Sequence, residues 1–224
     1  MRYRHEVKHL ITLADKLAIC HSMDAIAEPD SHVGPDGLYH IRSLYFDNLY
    51  NKALYEKKDG LYQRDKYRLR YYEGNTDFIL LERKSKTGDL CSKLSCRVTA
   101  EEVERILEND IDWMATSGRG LLIELYVKMK TELLRPKVII DYTRRPYIYG
   151  PGNVRVTLDY DIRTGISSLD FLNPDSVTVP AAEGVTILEV KWDEFLPTII
   201  KKAVQLKGVR AGAFSKYEAA RLDI

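Results

Sequence analysis

The sequence predicts an α+β fold, an eight-stranded antiparallel β-barrel with peripheral helices, built as one domain over residues 1–224. Three observations predict it. Eight stretches carry β-branched and aromatic residues in strand-like runs, most of them alternating; they follow one another in meander order without regular helical crossovers; and no Pro/Gly/Ser-rich linker, internal repeat or low-complexity segment divides the chain. A chain of 224 residues can bury a sizeable core, and eight strands in series can close on themselves.

The first strand is read over about 2–9, from the alternation in RHEVKHL, and runs into a helix over 10–24. YHIRSLYFD makes a strand over 39–47, followed by a helical reading over 48–57. Strands over 64–73, 77–86 and 91–99 come next. EGNTD (73–77) and KTGD (86–89) join them as hairpin turns, which sets successive strands antiparallel. Thr99-Ala100-Glu101-Glu102 is a capping box that opens a helix over 100–108 ahead of Val103, Ile106 and Leu107. A helix over 119–134, strands over 136–148, 153–162 and 185–192, and helices over 193–206 and 214–222 complete the reading.

Charge bounds the partners. Thirty-four Lys plus Arg against thirty-three Asp plus Glu leave +1, so no global field favours nucleic acid or an anionic membrane, and any strong field is local. MRYRHEVKHL is charged throughout and no window holds the roughly 18 apolar residues of a membrane helix, so the expected localisation is cytoplasmic. Cys20, Cys91 and Cys96 form no CxxC pair and no disulfide framework is expected. His5 and His9 stand four apart without an H-E-x-x-H, and neither a P-loop nor a Rossmann glycine motif occurs.

The strands share one grammar. In QRDKYRLRYYEG, Lys66, Arg68, Arg70 and Tyr72 fall on one face and Tyr67, Leu69 and Tyr71 on the other. The next strands align Leu80, Glu82, Lys84 and Lys86, then Cys91, Lys93, Ser95 and Arg97. NVRVTLDYD sets Arg155, Thr157, Asp159 and Asp161 against an apolar face, TILEVKW sets Glu189 and Lys191 against Leu188, Val190 and Trp192, and RHEVKHL groups Arg4, Glu6 and Lys8. An ordinary sheet would turn the cations to water. In a barrel wrapped by helices they point inward instead, and a cationic lumen is costly unless it is hydrated or holds an anion. The expected guest is polyanionic. Phosphate suits Arg forks and Lys point charges, while carboxylates such as Glu189 and Glu82 suit a divalent metal bridging phosphate oxygens. Asp159 and Asp161 are either a further metal contact or partners of the lumen arginines.

In order, YRLRYY (67–72), LERKSK (81–86), SK (92–93), YTRRPY (142–147), VRVTLDYD (154–161), LEVKW (188–192) and FSKY (214–217) resemble the catalytic domain of the vacuolar transporter chaperone (VTC) polyphosphate polymerases, within the triphosphate tunnel metalloenzymes. The resemblance extends from RHEVKHLI to FSKYEAAR. It implies a tunnel that binds ATP or another nucleoside triphosphate with Mn²⁺ or Mg²⁺ and transfers the γ-phosphoryl group onto polyphosphate. Carried over residue by residue, it implies phosphate contacts at Arg68, Arg70, Lys84, Lys93, Arg144 and Arg155, with Arg145 as the competing register for Arg144. It implies Lys8, Lys191 and Lys216 along the substrate path and Glu189 on the metal.

Departures from the family pattern shape two further expectations. The sensor domain and membrane segments of the eukaryotic assemblies are absent from this sequence, so moving product across a membrane would need a separately encoded membrane partner. The loop between about 107 and 120 is shorter than the family suggests, which points to a different tunnel rim. The basic run KKAVQLKGVRAG (201–212) is either a solvated face or an attractor at the tunnel entrance. Two alternatives to polymerase activity stand: a triphosphatase, if water is the acceptor, and a non-catalytic polyphosphate-binding module, if no metal is needed.

Overall fold

A computed structural model describes residues 4–31, 33–88, 90–204 and 214–222. The strands are β1 (His5–Ile11), β2 (Glu28–Pro29), β3 (Tyr39–Asp47), β4 (Gln63–Tyr72), β5 (Ile79–Thr87), β6 (Leu90–Val98), β7 (Arg135–Tyr149), β8 (Val154–Thr164), β9 (Val179–Pro180) and β10 (Thr186–Trp192). The helices are α1 (Leu13–Asp24), α2 (Lys52–Lys58), α3 (Ala100–Leu107), α4 (Gly120–Thr131), α5 (Thr198–Val204) and α6 (Lys216–Leu222). All eight expected strands form, and the two-residue β2 and β9 add short edges on β7 and β8.

The sheet is antiparallel in the order β1-β10-β8-β7-β3-β4-β5-β6. It curls so that its two outer strands approach, and Arg4 N donates to Cys91 O at 3.4 Å across the seam. Among the described residues that bridge is isolated and no ladder runs between β1 and β6, so the expected barrel is there an open tunnel rather than one closed by hydrogen bonds. Parity of side chains then sorts the molecule. Outward-facing Tyr67, Leu69, Tyr71, Ile79 and Leu81 pack under α3 and α4, and outward-facing Val156, Leu158, Leu188 and Val190 pack under α1 and α5. α6 lies against the inner side, where Tyr217 and Ala220 join Ile41, Ile140 and Ile187.

Local chemistry explains where element boundaries differ from expectation. The capping box forms as read, with Glu102 N donating to Thr99 Oγ1 at 3.1 Å and Thr99 N to Glu102 Oε2 at 3.0 Å. A second box, Thr12 with Asp15, delays the first helix to Leu13 and lets β1 run on to Ile11. α2 starts at Lys52, because Asn48 Oδ1 accepts from the backbone of Tyr50 and Lys52 at 3.0 Å and holds the chain in a turn first. The helix expected from 193 begins only at Thr198, since Pro197 biases the residue before it away from helix. In the β4–β5 hairpin Glu73 and Gly74 have φ of 53° and 66°, and Asn75 N donates to Tyr72 O at 2.9 Å, a primed turn that matches strand twist. A 3-10 turn at Asp112–Thr116 fills the loop before α4. No helix among the described residues is long and apolar enough to cross a membrane. Residues 205–212 of the basic run lie outside the described residues.

Candidate active site

The inner faces enclose a cavity of about 760 Å³. Arg68, Arg70, Lys84, Lys93, Arg144, Arg155, Lys8, Lys191, Lys216 and Glu189 all line it, so the ten residues to which the resemblance assigns phosphate, substrate or metal contacts reach one chamber. Strand pairing explains the convergence. Lys66, Lys84 and Lys93 are direct cross-strand partners on β4, β5 and β6; Lys8 faces Glu189, Lys191 faces Arg155, and Arg144 faces Asp159. Like charges opposite one another destabilise a sheet, so the lysine row favours an anion.

Two groups of carboxylates sit among these cations. Glu6 and Glu189 form the first. Lys8 Nζ lies 2.9 Å from Glu189 and 3.2 Å from Glu6, Lys191 Nζ lies 2.5 Å from Glu189 and 3.5 Å from Glu6, and Lys84 Nζ lies 2.9 Å from Glu6. Burial and Glu189 push the Glu6 carboxyl up, but Lys8, Lys84 and Lys191 together hold it down at about 2. Glu189 is likewise raised by burial and held well below the usual range by Lys191, Lys8 and Lys84. The Lys84 ammonium is pulled down to about 8 by burial and by Lys8, against Glu6.

Glu82 and Asp159 form the second group, and they decide how free each arginine is. Arg68 gives Nε to Glu82 at 2.7 Å and Nη1 to the Tyr45 hydroxyl at 2.9 Å, with Nη2 2.6 Å from Glu82. Glu82 also accepts from Lys93 at 2.7 Å. Arg144 spends its fork on Asp159, at 2.6 and 2.8 Å, and Lys216 adds a third contact to Asp159 at 2.5 Å. Arg70 differs. Its closest partners are the hydroxyls of Ser43 at 2.9 Å and Tyr142 at 2.8 Å, with Glu82 3.9 Å away, so its charge is the least compensated of the three. Arg155 pairs with Asp30 at 2.8 Å, and both line the cavity.

Arg144 rather than Arg145 faces the tunnel; Arg145 points outward to Asp24 at 2.9 Å. Asp159 partners arginine and lysine, as one of the two readings held. Asp161 leaves the shared face altogether. Its φ of 49° marks a bulge where the β7–β8 register shifts, and it is exposed. His5 stacks on Trp192, with ring centroids 5.4 Å apart. Cys91 lines the cavity, and burial raises its thiol.

Residues that carry part of the site without a role read from sequence are Glu6, Tyr45, Ser43, Tyr142 and Asp30. Glu6 was within reach, since its spacing of two from Lys8 puts both on one face. Tyr45 and Ser43 were not. β3 is buried on both faces, apart from His40, and nothing in its composition marks the inner side.

The PH1012 protein of Pyrococcus horikoshii has a similar fold, with a TM-score of 0.51 at 14% identity over 96% of this chain and 98% of its own. A Bacillus halodurans protein provisionally named as an adenylate cyclase gives a TM-score of 0.47 at 13% identity, covering 85% of this chain and 82% of its own. No curated protein sequence matches the chain. The VTC domain model matches residues 3–222. The chain therefore belongs to the VTC domain family.

Proposed function

We propose that the tunnel carries out metal-assisted phosphoryl transfer, taking the γ-phosphoryl group of ATP or another nucleoside triphosphate onto the end of a polyphosphate chain. The observation that carries this reading is the convergence of cations from β1, β4, β5, β6, β7, β8 and β10 on one chamber that also holds two buried carboxylates, Glu6 and Glu189. VTC domain membership supports an enzyme of triphosphate chemistry.

Arg70, Lys84, Arg155 and Lys191 hold phosphoryl oxygens and neutralise the charge that shifts toward the leaving oxygen, with Arg68 and Arg144 recruited as their internal partners yield. The bond between the bridging oxygen and the γ-phosphorus breaks, a terminal polyphosphate oxygen forms the new bond, and a nucleoside diphosphate leaves. No side chain serves as a covalent nucleophile.

The donor set fits Mg²⁺ or Mn²⁺. Glu6 and Glu189 would supply two oxygen ligands; no group of three His, Cys, Asp or Glu side chains that could hold a metal exists among the described residues, so water and phosphate oxygens would complete the coordination, as such ions readily allow. When bound, the ion would polarise a phosphoryl oxygen and neutralise charge.

The test is incubation of the protein with ATP and Mn²⁺, with and without a short polyphosphate primer, and resolution of products by gel, with Arg70→Ala and Glu189→Ala as controls. A lengthening ladder lost in both variants supports the polymerase. Free phosphate without a ladder replaces it with a triphosphatase, and tight polyphosphate binding without turnover replaces it with a binding module.

A further inference from the structure

Tyr45 stands on β3 directly opposite Arg68 of β4, is 8% exposed, and lines the cavity. Its hydroxyl accepts from Arg68 Nη1 at 2.9 Å. The charged groups whose fields act most strongly on it are all cations: Arg68 and Arg70 on β4 and Lys216 on α6. Other polar neighbours are committed elsewhere. Tyr217 of α6 packs its ring 5.6 Å from the Tyr45 ring but donates its own hydroxyl to Asp47 at 2.5 Å. Tyr142 of β7 accepts from Arg70, and Glu82 of β5 is held by Arg68 and Lys93. α2 and the start of β7 present Ala53, Leu54 and Val138, which are apolar.

The phenol oxygen therefore accepts from Arg68 in the field of two further cations, and among the described residues no acceptor takes its proton. A buried hydroxyl in that position has two outlets: it ionises, or it donates to an anion that enters. Burial raises the Tyr45 phenol, but Arg68, Arg70 and Lys216 outweigh it and bring it to about 7. Arg68 supplies the second half of the argument. Its Nε and Nη2 are held by Glu82, so Nη1 is the nitrogen that an incoming phosphate can claim, and Tyr45 is what must let go of it.

We propose that Tyr45 is a proton-linked phosphate ligand, a role that rests on the tunnel being a triphosphate and polyphosphate site. Without phosphate, the Tyr45 oxygen serves Arg68 and Arg70 as counter-anion. An entering phosphate takes over that part, the phenolate takes one proton from solvent, and the restored O–H donates to a phosphate oxygen. Binding of the polyanion is thereby coupled to proton uptake, and affinity falls as pH rises through the range in which the empty tunnel holds tyrosinate.

The experiment uses inorganic tripolyphosphate, without nucleotide or metal, on the wild type and Tyr45→Phe. Near-ultraviolet tyrosinate absorbance is followed against pH, and calorimetry in two buffers of different ionisation heat counts protons. The wild type is expected to develop a tyrosinate band centred near pH 7, to lose it on saturation with tripolyphosphate, and to take up about one more proton than the variant. Tripolyphosphate binding with no loss of tyrosinate in the wild type overturns the Tyr45 role alone, and that measurement stands even where the variant does not fold. Equal proton counts in a folded variant overturn it too. Absence of any binding overturns both this role and the polyphosphate reading of the tunnel.

Discussion

Lys8 and Glu189 face each other across β1 and β10, and the Lys8 ammonium, 2.9 Å from Glu189 and 3.2 Å from Glu6, bridges two carboxylates that share one corner of the tunnel, as Lys191 does from β10. A divalent cation bound by the same two carboxylates would compete with that ammonium for their charge.

Lys8→Met is therefore expected to lose stability in metal-free buffer, because it removes one of the two ammonium groups that bridge Glu6 and Glu189 and leaves their repulsion less compensated. Removing one partner of a buried pair costs about 3–5 kcal/mol, which for a chain of this size lowers Tm by roughly 10 °C. Mn²⁺ or Mg²⁺ should restore more of the Tm in the variant than it adds to the wild type. Thermal melts with and without metal check this, and a variant indifferent to metal would remove Glu6 and Glu189 as a cation site.

Arg70 and Arg144 should separate in binding. Arg70 keeps a charge satisfied mainly by the hydroxyls of Ser43 and Tyr142, whereas Arg144 is tied to Asp159. Arg70→Ala is expected to weaken tripolyphosphate binding by about 1.5–3 kcal/mol, roughly ten- to a hundredfold, with little loss of stability. Arg144→Ala is expected to show the larger drop in Tm, since it leaves Asp159 buried with Lys216 as its remaining cationic contact. Calorimetric titration beside thermal melts reads both, and equal losses of affinity would contradict this ranking.

Lys84 gives the tunnel an alkaline limit. Its ammonium, pulled to about 8 by burial and Lys8, is charged below that pH and neutral above it. Tripolyphosphate affinity should fall as pH rises through about 8, and Lys84→Arg, which stays charged, should flatten that limb. A pH series of binding isotherms on the two proteins decides the point.

Glu6 gives the fold an acid limit. Its carboxyl sits at about 2 in the folded chain against an ordinary 4.5, so its stabilisation is complete above about 4.5 and disappears as pH falls toward 2. A shift of that size corresponds to about 3 kcal/mol. Glu6→Gln should be less stable than the wild type at neutral pH and show a shallower loss of Tm on acidification. Parallel melts across that range would expose a wild type that loses no more than the variant.

Much of the site could be read before the fold was known, for a physical reason visible at Arg68 and Arg70. Their separation of two puts both on one face of any strand, and the apolar Tyr67, Leu69 and Tyr71 opposite them show which face packs under helices. The same parity covers Lys84, Arg155, Glu189 and Lys191. It misled at Asp161, where one left-handed residue in a bulge reverses the face, and it was silent at Tyr45, whose strand is buried on both sides with polar residues on each.

By itself the sequence determined which side chains of each long strand travel together, because alternation is a local property of extended backbone. Only the tertiary structure decided which carboxylate answers which cation. Glu6 meets Lys84 across 78 positions of chain and Lys216 meets Asp159 across 57. Such pairings depend on distances through space that curvature and register set together. They leave Arg70 less compensated than Arg68 or Arg144, give Lys84 a neutral form near pH 8, and leave the Tyr45 proton without an acceptor among the described residues.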